Sequence, residues 1–367
     1  MVWRNAGGEL MKQPLFNVKM KSDDWKWSLK DLPKTQNGIK VFSCFAGGGG
    51  SSMGYKLAGC DVIGCLEIDK KMNDLYVNNL QPKHNYLMDI REFNSIPNDE
   101  LPSELFELDI LDGSPPCTSF SMAGSREKMW GKKKKFREGQ AEQTLDDLLF
   151  IFIETVEKLR PKIVIMENVE GLIKGSAVEY ALQCYSRFEK IGYKVQHYLL
   201  YAENMGVPQK RHRVFFIATR NDIDFDWEKL RMDFSYEHIL FREIKSGEGE
   251  LNPESKSYKW LSKALDYEKS FEAVKKRTEG TGGLFNNIII HDNQVFSTLT
   301  AGSGLYCRYT EKTKCSPDDF INAQTFPQDY DFGKRTYGGV QYVCGMSVPP
   351  VMIKRIVERI LRVYRKP

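Results

Sequence analysis

The sequence lacks closely spaced cysteines, which excludes the classes of domain that depend on them. Its eight cysteines are scattered along the chain and form no Cys-x-x-Cys pair; they stand at positions 44, 60, 65, 117, 184, 307, 315 and 344. A disulfide scaffold needs a dense cysteine framework, and a structural zinc site needs paired ligands. The pattern therefore indicates reduced thiols in an intracellular protein, and we expect no metal site.

The sequence also lacks a long apolar segment and a strong net charge. No window approaches the roughly 18 uninterrupted apolar residues of a membrane helix, and no signal-peptide core stands near the N-terminus. We therefore expect a soluble cytoplasmic protein. The formal net charge is only +4, so any nucleic-acid surface must be local. With 367 residues, 41% of them hydrophobic, the chain can bury one large α/β domain and a smaller one.

The first strong pattern is a strand, a glycine-rich turn and a helix. The apolar run 39–45 predicts a strand, Gly47 to Gly50 follow it, and residues 51–58 predict a helix. Backbone amides in such a turn can approach a ligand without obstruction, although many glycine turns bind nothing. A second strand ends in Glu67, twenty residues after Gly47. A carboxylate at that distance suits hydrogen bonds to ribose hydroxyls in a doubly wound sheet.

An acidic residue and a cysteine follow the next two predicted strands. The short segment 86–88 ends in Asp89, for which an ordinary helix N-cap is the alternative role. The apolar run 105–111 predicts a buried strand that leads into a Pro-Pro turn, which holds Cys117 rigidly. That turn suits a nucleophile, with a buried structural cysteine as the alternative. Because the carboxyl ends of parallel strands line one crevice, we expect these groups to meet there.

A glutamate and two arginines extend this set. Helix 145–159 and strand 162–166 precede Glu167, and burial in the crevice would raise the pKa of this carboxyl and let it act as an acid. Helix capping or a salt bridge is the alternative role. Further along, Arg211 and Arg213 alternate onto one face of an extended segment. Two guanidiniums there can grip a phosphate, a base carbonyl oxygen or a carboxylate.

The remaining segments indicate the domain organisation. The cationic loop after Ser121 includes lysines at 132–135, and it predicts either a lid that grips phosphate or a solvated surface. Short apolar runs and frequent Lys, Ser and Gly predict a small inserted domain at 221–296. Residues 1–37 are a flexible leader, a docking arm or a nucleic-acid surface, and the sequence does not choose among these. An apolar stripe from 353 to 364 predicts a last helix.

Taken in order, these motifs resemble the cytosine-5 DNA methyltransferase family over roughly residues 39–220 and 297–364. Any one motif is weak, but seven in this order are specific. The seven are Phe45-Ala46-Gly47-Gly48-Gly49, Glu67-Ile68, Asp89-Ile90, Pro115-Pro116-Cys117, Glu167-Asn168-Val169, Gln209-Lys210-Arg211-His212-Arg213 and Gly345-Met346-Ser347-Val348-Pro349-Pro350. The chain departs from the family pattern at Thr118, where glutamine is usual, and at Met346, where asparagine is usual.

The resemblance implies a fold and a cofactor. The fold is a Rossmann-like class I methyltransferase domain of the α/β class, with a mostly parallel, doubly wound sheet at 38–220. An N-terminal extension, 1–37, precedes it. A target-recognition domain, 221–296, and a C-terminal segment, 297–367, follow, and the last helix packs back on the first domain. The cofactor is S-adenosyl-L-methionine, with Glu67 on the ribose and Asp89 on the adenine amino group. The implied cofactor-binding residues are Phe45, Gly47, Gly49, Glu67, Ile68, Asp89, Ile90 and Pro116.

The resemblance also implies the reaction. The thiolate of Cys117 adds to C6 of a flipped-out cytosine and makes C5 nucleophilic. Glu167 holds or protonates N3, Arg213 binds the base carbonyl oxygen, and Arg211 supports the site.

The implied partner is double-stranded DNA. Contacts with it are expected from Ser121, Lys132, Lys133, Lys134 and Lys135, and a cognate restriction endonuclease would act separately from a monomeric enzyme of bacterial or phage origin. Two alternatives stay open. One is a transfer RNA cytosine-5 methyltransferase with the same motifs, and the other is a non-catalytic DNA-binding relative, against which the intact Cys117 argues.

Overall fold

The computed structural model describes residues 20–33, 37–116, 147–302 and 304–365. A central sheet dominates this part of the chain. Its strands are β1 (Lys40–Cys44), β2 (Asp61–Glu67), β3 (His84–Leu87), β4 (Ile110–Gly113), β5 (Ile163–Val169), β6 (Tyr193–Tyr201) and β7 (His212–Arg220).

Within the described residues, the central sheet has seven strands in the order β3-β2-β1-β4-β5-β7-β6. Strands β1 to β5 pair in parallel, and β7 runs antiparallel to both of its neighbours. The reversal arises because β6 and β7 follow each other closely in the chain and pair as an antiparallel hairpin, without a crossover helix. The predicted α/β fold with a mostly parallel, doubly wound sheet is confirmed.

Helices cover the sheet, and a second, small sheet follows it in the chain. No helix in the described ranges is both long and apolar enough to span a membrane. The helices are α1 (Gly50–Leu57), α2 (Lys70–Leu80), α3 (Ile90–Ser95), α4 (Leu148–Leu159), α5 (Val178–Lys190), α6 (Phe241–Ile244), α7 (Lys256–Ser262), α8 (Phe271–Glu279), α9 (Pro317–Ala323), α10 (Tyr337–Met346) and α11 (Pro350–Leu361). The small sheet joins β8 (Ile288–Ile290), β9 (Tyr306–Arg308) and β10 (Thr313–Lys314).

Each face of the central sheet has its own apolar core because successive side chains of a strand point to opposite faces. On β5, Val164 and Met166 pack with α3, α4 and α5. Ile163 and Ile165 pack on the other face with α1 and α11. Strands β4 and β5 are therefore apolar on both faces, as expected of strands in the middle of a parallel sheet.

Polar residues at the strand ends also start the next helices. The Asp69 side chain after β2 accepts hydrogen bonds from the amides of Lys71 and Met72 at the start of α2. Asp89 caps α3 in the same way. N-cap side chains accept hydrogen bonds from amides that have no partner within the helix. These two caps therefore fix where α2 and α3 begin, at the carboxyl edge of the sheet.

Helix α11, near the C-terminus, packs directly on α1, the first helix after β1. The contact needs a glycine at position 54. A Cβ atom there would lie 2.5 Å from the Cβ of Ile353 and 2.5 Å from the carbonyl oxygen of Pro350. Both distances are below van der Waals contact, so the two helices meet at backbone separation.

We predict that Gly54→Ala destabilises the protein, although alanine usually stabilises a helix relative to glycine by roughly 0.5–1 kcal/mol. Overpacking against α11 should cost about 1–3 kcal/mol and outweigh that gain. Gly338→Ala is the matched control, because nothing lies within 4 Å of a Cβ atom at that helical position. Urea unfolding would contradict this account if both variants were equally stable.

One predicted strand boundary is wrong, and one predicted helix start lies outside the described residues. The apolar run 105–111 is not one strand, since Ser103–Phe106 forms a 3-10 turn and β4 begins only at Ile110. Leu105 is nevertheless fully buried. Its apolar side chain therefore indicates burial, but it does not indicate a strand. Helix α4 begins at Leu148 among the described residues, and positions 145 and 146 of the predicted helix lie outside them.

The predicted inserted domain, 221–296, does not pack as a separate unit. Strand β8 lies before position 296 and pairs with β9, which lies after it. Phe225, Leu230 and Met232 belong to the core beneath the central sheet and α11. The proposed boundaries therefore cut through two packed clusters, and the role of this region in recognition stays a prediction.

Candidate active site

The glycine turn after β1 is tied to the carboxylate at the end of β2. Gly47, in the left-handed region with φ +53°, donates its N–H to Oε2 of Glu67 at 2.7 Å. Phe45 also has a positive φ of 54°, a conformation that costs a non-glycine residue free energy and that clusters at functional sites.

The carboxylate of Glu67 organises the amides around it. Its Oε1 accepts the N–H groups of Ile68 and Asp69 at 2.9 and 2.8 Å. Burial raises the pKa of Glu67, and these amide hydrogen bonds oppose that increase. A carboxylate offers about four acceptor positions, and the three backbone amides leave one on Oε2. That position can accept a ribose hydroxyl.

A cleft opens beside this carboxylate. Its lining residues are Phe45, Gly47, Glu67, Ile68, Asp69, Met72, Ser114, Pro116, Tyr342 and Met346. A narrower cavity shares part of that wall, and it is lined by Phe45, Leu66, Glu67, Ile68, Met88, Asp89 and Ile90. The structure thus brings together every sequence-predicted cofactor residue except Gly49.

Gly49 faces a different neighbour. A Cβ atom on it would lie 2.4 Å from Cδ1 of Leu80, on α2. It precedes α1 with φ +88° and has no side chain to cap the helix. Its place in the motif therefore reflects backbone conformation and packing, whereas Gly47 lines the cleft.

Sequence reasoning missed the wall that α10 contributes. Tyr342 and Met346 are one helical turn apart, so both side chains can face the cleft. The only signal in the sequence was the departure from the family pattern at Met346, whose side chain is 45% exposed. No strong apolar periodicity marks α10, because two glycines follow Tyr337.

Asp89 caps a helix and also lines a cavity. Its Oδ1 caps α3 by accepting the N–H of Arg91 at 2.8 Å. Arg91 also approaches Oδ2 at 3.3 Å and bridges to Asp147 at the start of α4. The capping carboxylate lines the narrower cavity at the same time, so its position is fixed before any ligand binds.

The Pro-Pro turn after β4 is fixed by Asn168. The Asn168 side-chain amide donates to the carbonyl oxygen of Pro115 at 3.1 Å, and its oxygen accepts the N–H of Val169. Asn168 is only 2% exposed. The structure describes the turn as far as Pro116. Cys117, Ser121 and Lys132, Lys133, Lys134 and Lys135 lie outside the described residues.

Glu167 and Arg213 form a pair next to this turn. Arg213 Nε lies 2.8 Å from Oε1 of Glu167, and both side chains are mostly buried. The pair spans the antiparallel strands β5 and β7, where Val169 stands opposite Arg213. Arg213 donates a further bond to the carbonyl oxygen of His212. A carboxylate oriented by a guanidinium is therefore held one strand from the Pro-Pro turn.

Arg211 does not share an anion grip with Arg213. Its guanidinium is buried and donates to the carbonyl oxygens of Leu299 and Gly345, at 3.1 and 3.2 Å. Burial, and then the like charge of Arg213, lowers the pKa of Arg211 to about 9. Arg211 thus joins three segments of the backbone, which agrees with the supporting role that the resemblance implies.

Two glutamines extend this scaffold. Gln209 is fully buried, accepts the N–H of Leu299 at 3.1 Å and donates to Oε1 of Gln324 at 2.6 Å. Gln324 in turn donates to the carbonyl oxygen of Ser347 at 2.6 Å. Distant segments therefore meet through side-chain amides, and the sequence contained the two glutamines without showing that they pair.

A buried acid lies beneath the site. Asp112, in β4, accepts hydroxyl hydrogen bonds from Ser43 at 2.7 Å and Tyr55 at 3.0 Å. Burial raises the pKa of Asp112 to about 7; the two hydroxyls oppose this increase, and the charge of Glu167 adds to it. In the sequence Asp112 is only the polar end of an apolar run, and no pattern there predicts a role for it.

The sheet order, the glycine turn and the acid after β2 define the Rossmann-like methyltransferase class. The sequence profile of the C-5 cytosine-specific DNA methylases matches residues 39–362, and the chain belongs to this family. Members of the family use S-adenosyl-L-methionine. The glycine turn after β1 and the remaining acceptor position on Glu67 fit that cofactor.

Curated relatives agree with this family assignment, and a solved structure shares the fold. The chain is 25% identical to the Type II methyltransferase M1.HphI of Haemophilus parahaemolyticus, over 88% of this chain and 87% of the relative. It is also 25% identical to the Type II methyltransferase M.NgoFVII of Neisseria gonorrhoeae, over 92% and 90%. The structure of the S. pombe Dnmt2 methyltransferase shares the fold with a TM-score of 0.60 and 15% identity, over 89% of this chain and 99% of that chain.

We predict that Glu67→Gln weakens binding of S-adenosylhomocysteine by about 1–3 kcal/mol, because the amide replaces a charged acceptor of three backbone N–H groups. The matched control is Asp74→Asn on α2, since Asp74 pairs only with exposed Lys70 in the contacts described. Calorimetry should show normal affinity for the control. Equal affinities for both variants would mean that the carboxylate does not organise the cofactor site.

We predict a pH-dependent gain in stability for Asp112→Asn. The folded-state pKa of about 7 exceeds the unfolded value, so the folded wild type binds more protons and loses stability as pH rises from about 4 to 7. The variant escapes that loss, on the order of 2–4 kcal/mol. Urea unfolding at about pH 5 and pH 8 measures it. An identical pH dependence for both proteins would contradict a raised pKa.

Proposed function

We propose that the chain transfers a methyl group to C5 of cytosine within a specific sequence of double-stranded DNA. The observation that carries this proposal is the Glu167–Arg213 pair beside the fixed Pro-Pro turn, with the cofactor cleft on the same edge of the sheet. A thiol that follows the turn, a carboxylate and a methyl-donor site are the parts that the reaction needs.

In the proposed reaction the Cys117 thiolate adds to C6 of a flipped-out cytosine. A carbon–sulfur bond forms, and the electron pair of the C5–C6 double bond becomes available at C5 as N3 takes a proton or hydrogen bond from Glu167. When bound, S-adenosyl-L-methionine would supply the electrophilic methyl group and would leave as S-adenosylhomocysteine. After C5 has been methylated, a base removes the C5 proton, and the electron pair of that bond restores the C5–C6 double bond. The carbon–sulfur bond breaks, the thiolate leaves, and a proton taken by N3 returns to Glu167.

Arg213 has two tasks in this proposal. Its Nε holds Glu167 in place, and its guanidinium binds the base carbonyl oxygen as negative charge develops there. Arg211 is proposed to act indirectly, by holding the backbone at Leu299 and Gly345 in place through their carbonyl groups. Ser121 and Lys132 to Lys135 are proposed to contact the DNA backbone, which positions the duplex without reading its sequence.

The DNA substrate is supported by the family and by the Type II methyltransferases among the relatives. By the same argument we propose a bacterial or phage enzyme that acts in the cytoplasm as a monomer, alongside a separate cognate endonuclease. Region 221–296 is proposed to read the target sequence.

We predict that Cys117→Ser abolishes methyl transfer and leaves affinity for S-adenosylhomocysteine nearly unchanged, because a hydroxyl is far less nucleophilic than a thiolate at neutral pH. Purified protein is incubated with genomic DNA or total transfer RNA, and methylated cytosines are sequenced. Methylation of one DNA motif by the wild type supports the proposal. Methylation of transfer RNA alone, or turnover by the serine variant, would overturn the substrate or the mechanism, and no methylation at all favours a non-catalytic relative.

A further inference from the structure

Residues 22–30 lie before the family match, which begins at residue 39, and they dock on the C-terminal part of the chain. We name these residues the N-terminal strap. Trp25 of the strap is only 8% exposed and packs in the same core as α9 and α10. Of the three alternatives for the N-terminal extension, this stretch is therefore a docking arm.

The strap contacts one loop of the C-terminal part of the chain, residues 325–331. Trp27 donates its indole N–H to the carbonyl oxygen of Thr325 at 2.8 Å. The Ser28 hydroxyl donates to one oxygen of Asp329 at 2.5 Å, and the Leu29 amide donates to the other at 2.7 Å. The Lys30 amide adds a bond of 3.4 Å to the Asp329 carboxylate. Four hydrogen bonds thus hold this loop at Thr325 and Asp329, and three of them have a charged acceptor.

The fastened loop has a conformation that needs support. Thr325 has a positive φ of 56°, which is costly for a residue with a branched Cβ. Its hydroxyl accepts the N–H of Val351 at the start of α11, at 3.2 Å. On the far side, Asp331 exchanges two hydrogen bonds with Asn79 of α2 through its backbone N–H and C=O groups, at 2.7 and 2.9 Å.

The same loop reaches the cofactor turn. Tyr330, directly after Asp329, donates its hydroxyl hydrogen to the carbonyl oxygen of Gly48 at 2.7 Å and is 3% exposed. Its ring packs against Phe326 and Phe332, with centroids 5.1 and 4.6 Å away. Gly48 follows Gly47, whose N–H binds Glu67 in the cleft.

We propose that the strap is a positioning element for S-adenosyl-L-methionine. It fixes loop 325–331, and Tyr330 on that loop fixes the carbonyl group of Gly48, so the cofactor turn is set before the cofactor binds. The proposal rests on the cofactor site proposed above. Trp27 and Ser28 thus help to position the proposed cofactor site, although neither side chain contacts it.

The experiment measures the affinity for S-adenosylhomocysteine by calorimetry in the full chain. Trp27→Phe combined with Ser28→Ala should raise Kd about three- to tenfold, because a turn that moves must be ordered again on binding. Tyr330→Phe should raise Kd by a similar factor. All three changes together should raise it no further than Tyr330→Phe alone, since they act on one connection.

Asp24→Asn is the matched control. Asp24 belongs to the strap but pairs with Lys354 and Arg355 of α11, not with the loop. This variant should keep the wild-type Kd even if its Tm falls. Hydrogen exchange of the amides at 46–50, measured without ligand, should accelerate in the strap and Tyr330 variants and stay normal in the control.

Several outcomes would overturn the proposal. An unchanged Kd in the double strap variant would make the strap a purely structural element. An equal rise in Asp24→Asn would show a general loss of stability, and an unaffected Tyr330→Phe would break the connection to Gly48. If the double variant does not fold, the same Kd measurement is made on Ser28→Ala alone. A wild type that binds no S-adenosylhomocysteine would overturn the cofactor assignment as well as the strap.

Discussion

The close approach of the glycine turn to the C-terminal segment is the constraint on which the rest of the site depends. A Cβ atom on Gly48 would lie 2.8 Å from Val343, and one on Gly50 would lie 2.5 Å from the carbonyl oxygen of Val348. These two glycines are needed for packing, whereas Gly47 is needed for its conformation and its bond to Glu67. The glycine motif thus lets the turn after β1 pack closely against the C-terminal segment that contains Val343 and Val348.

This constraint explains why the cofactor wall includes residues from both ends of the family match. The carboxyl ends of β1 and β2 supply the glycine turn and Glu67, and α10 supplies Tyr342 and Met346. The side chains of Gln209, Arg211 and Gln324 then tie the backbone around α10 to the strands. Because these contacts are buried hydrogen bonds, breaking one leaves an unsatisfied polar group.

The sequence was sufficient to predict the sheet and the residues at its carboxyl edge. Apolar runs that end in Gly47, Glu67 or Asp89 carry a local signal, since burial and the strand end are both visible in a few neighbouring residues. Leu105 was placed in a strand because periodicity cannot distinguish a buried turn from a buried strand when the run is short.

The remaining parts could not be predicted because they depend on contacts between distant segments. No pattern within 221–296 shows that β8 pairs with β9 beyond position 296. Arg211 looked equivalent to Arg213 by spacing alone, yet one donates to backbone carbonyl groups and the other to Glu167. Partner choice of this kind is set by tertiary packing, which a single sequence does not display.

The charges around the proposed base pocket favour the chemistry assigned to it. The positive charge of Arg213 contributes to the lowered pKa of Arg211, and the negative charge of Glu167 opposes that change. Asp112 contributes less negative charge at neutral pH than a surface aspartate, because its pKa is raised to about 7. Arg211, Arg213, Glu167 and Asp112 together therefore carry a net positive charge in a mostly buried region. Such a charge costs folding free energy, but it is fixed in advance where addition of a thiolate to cytosine makes the base negative, so little reorganisation is needed as the reaction proceeds.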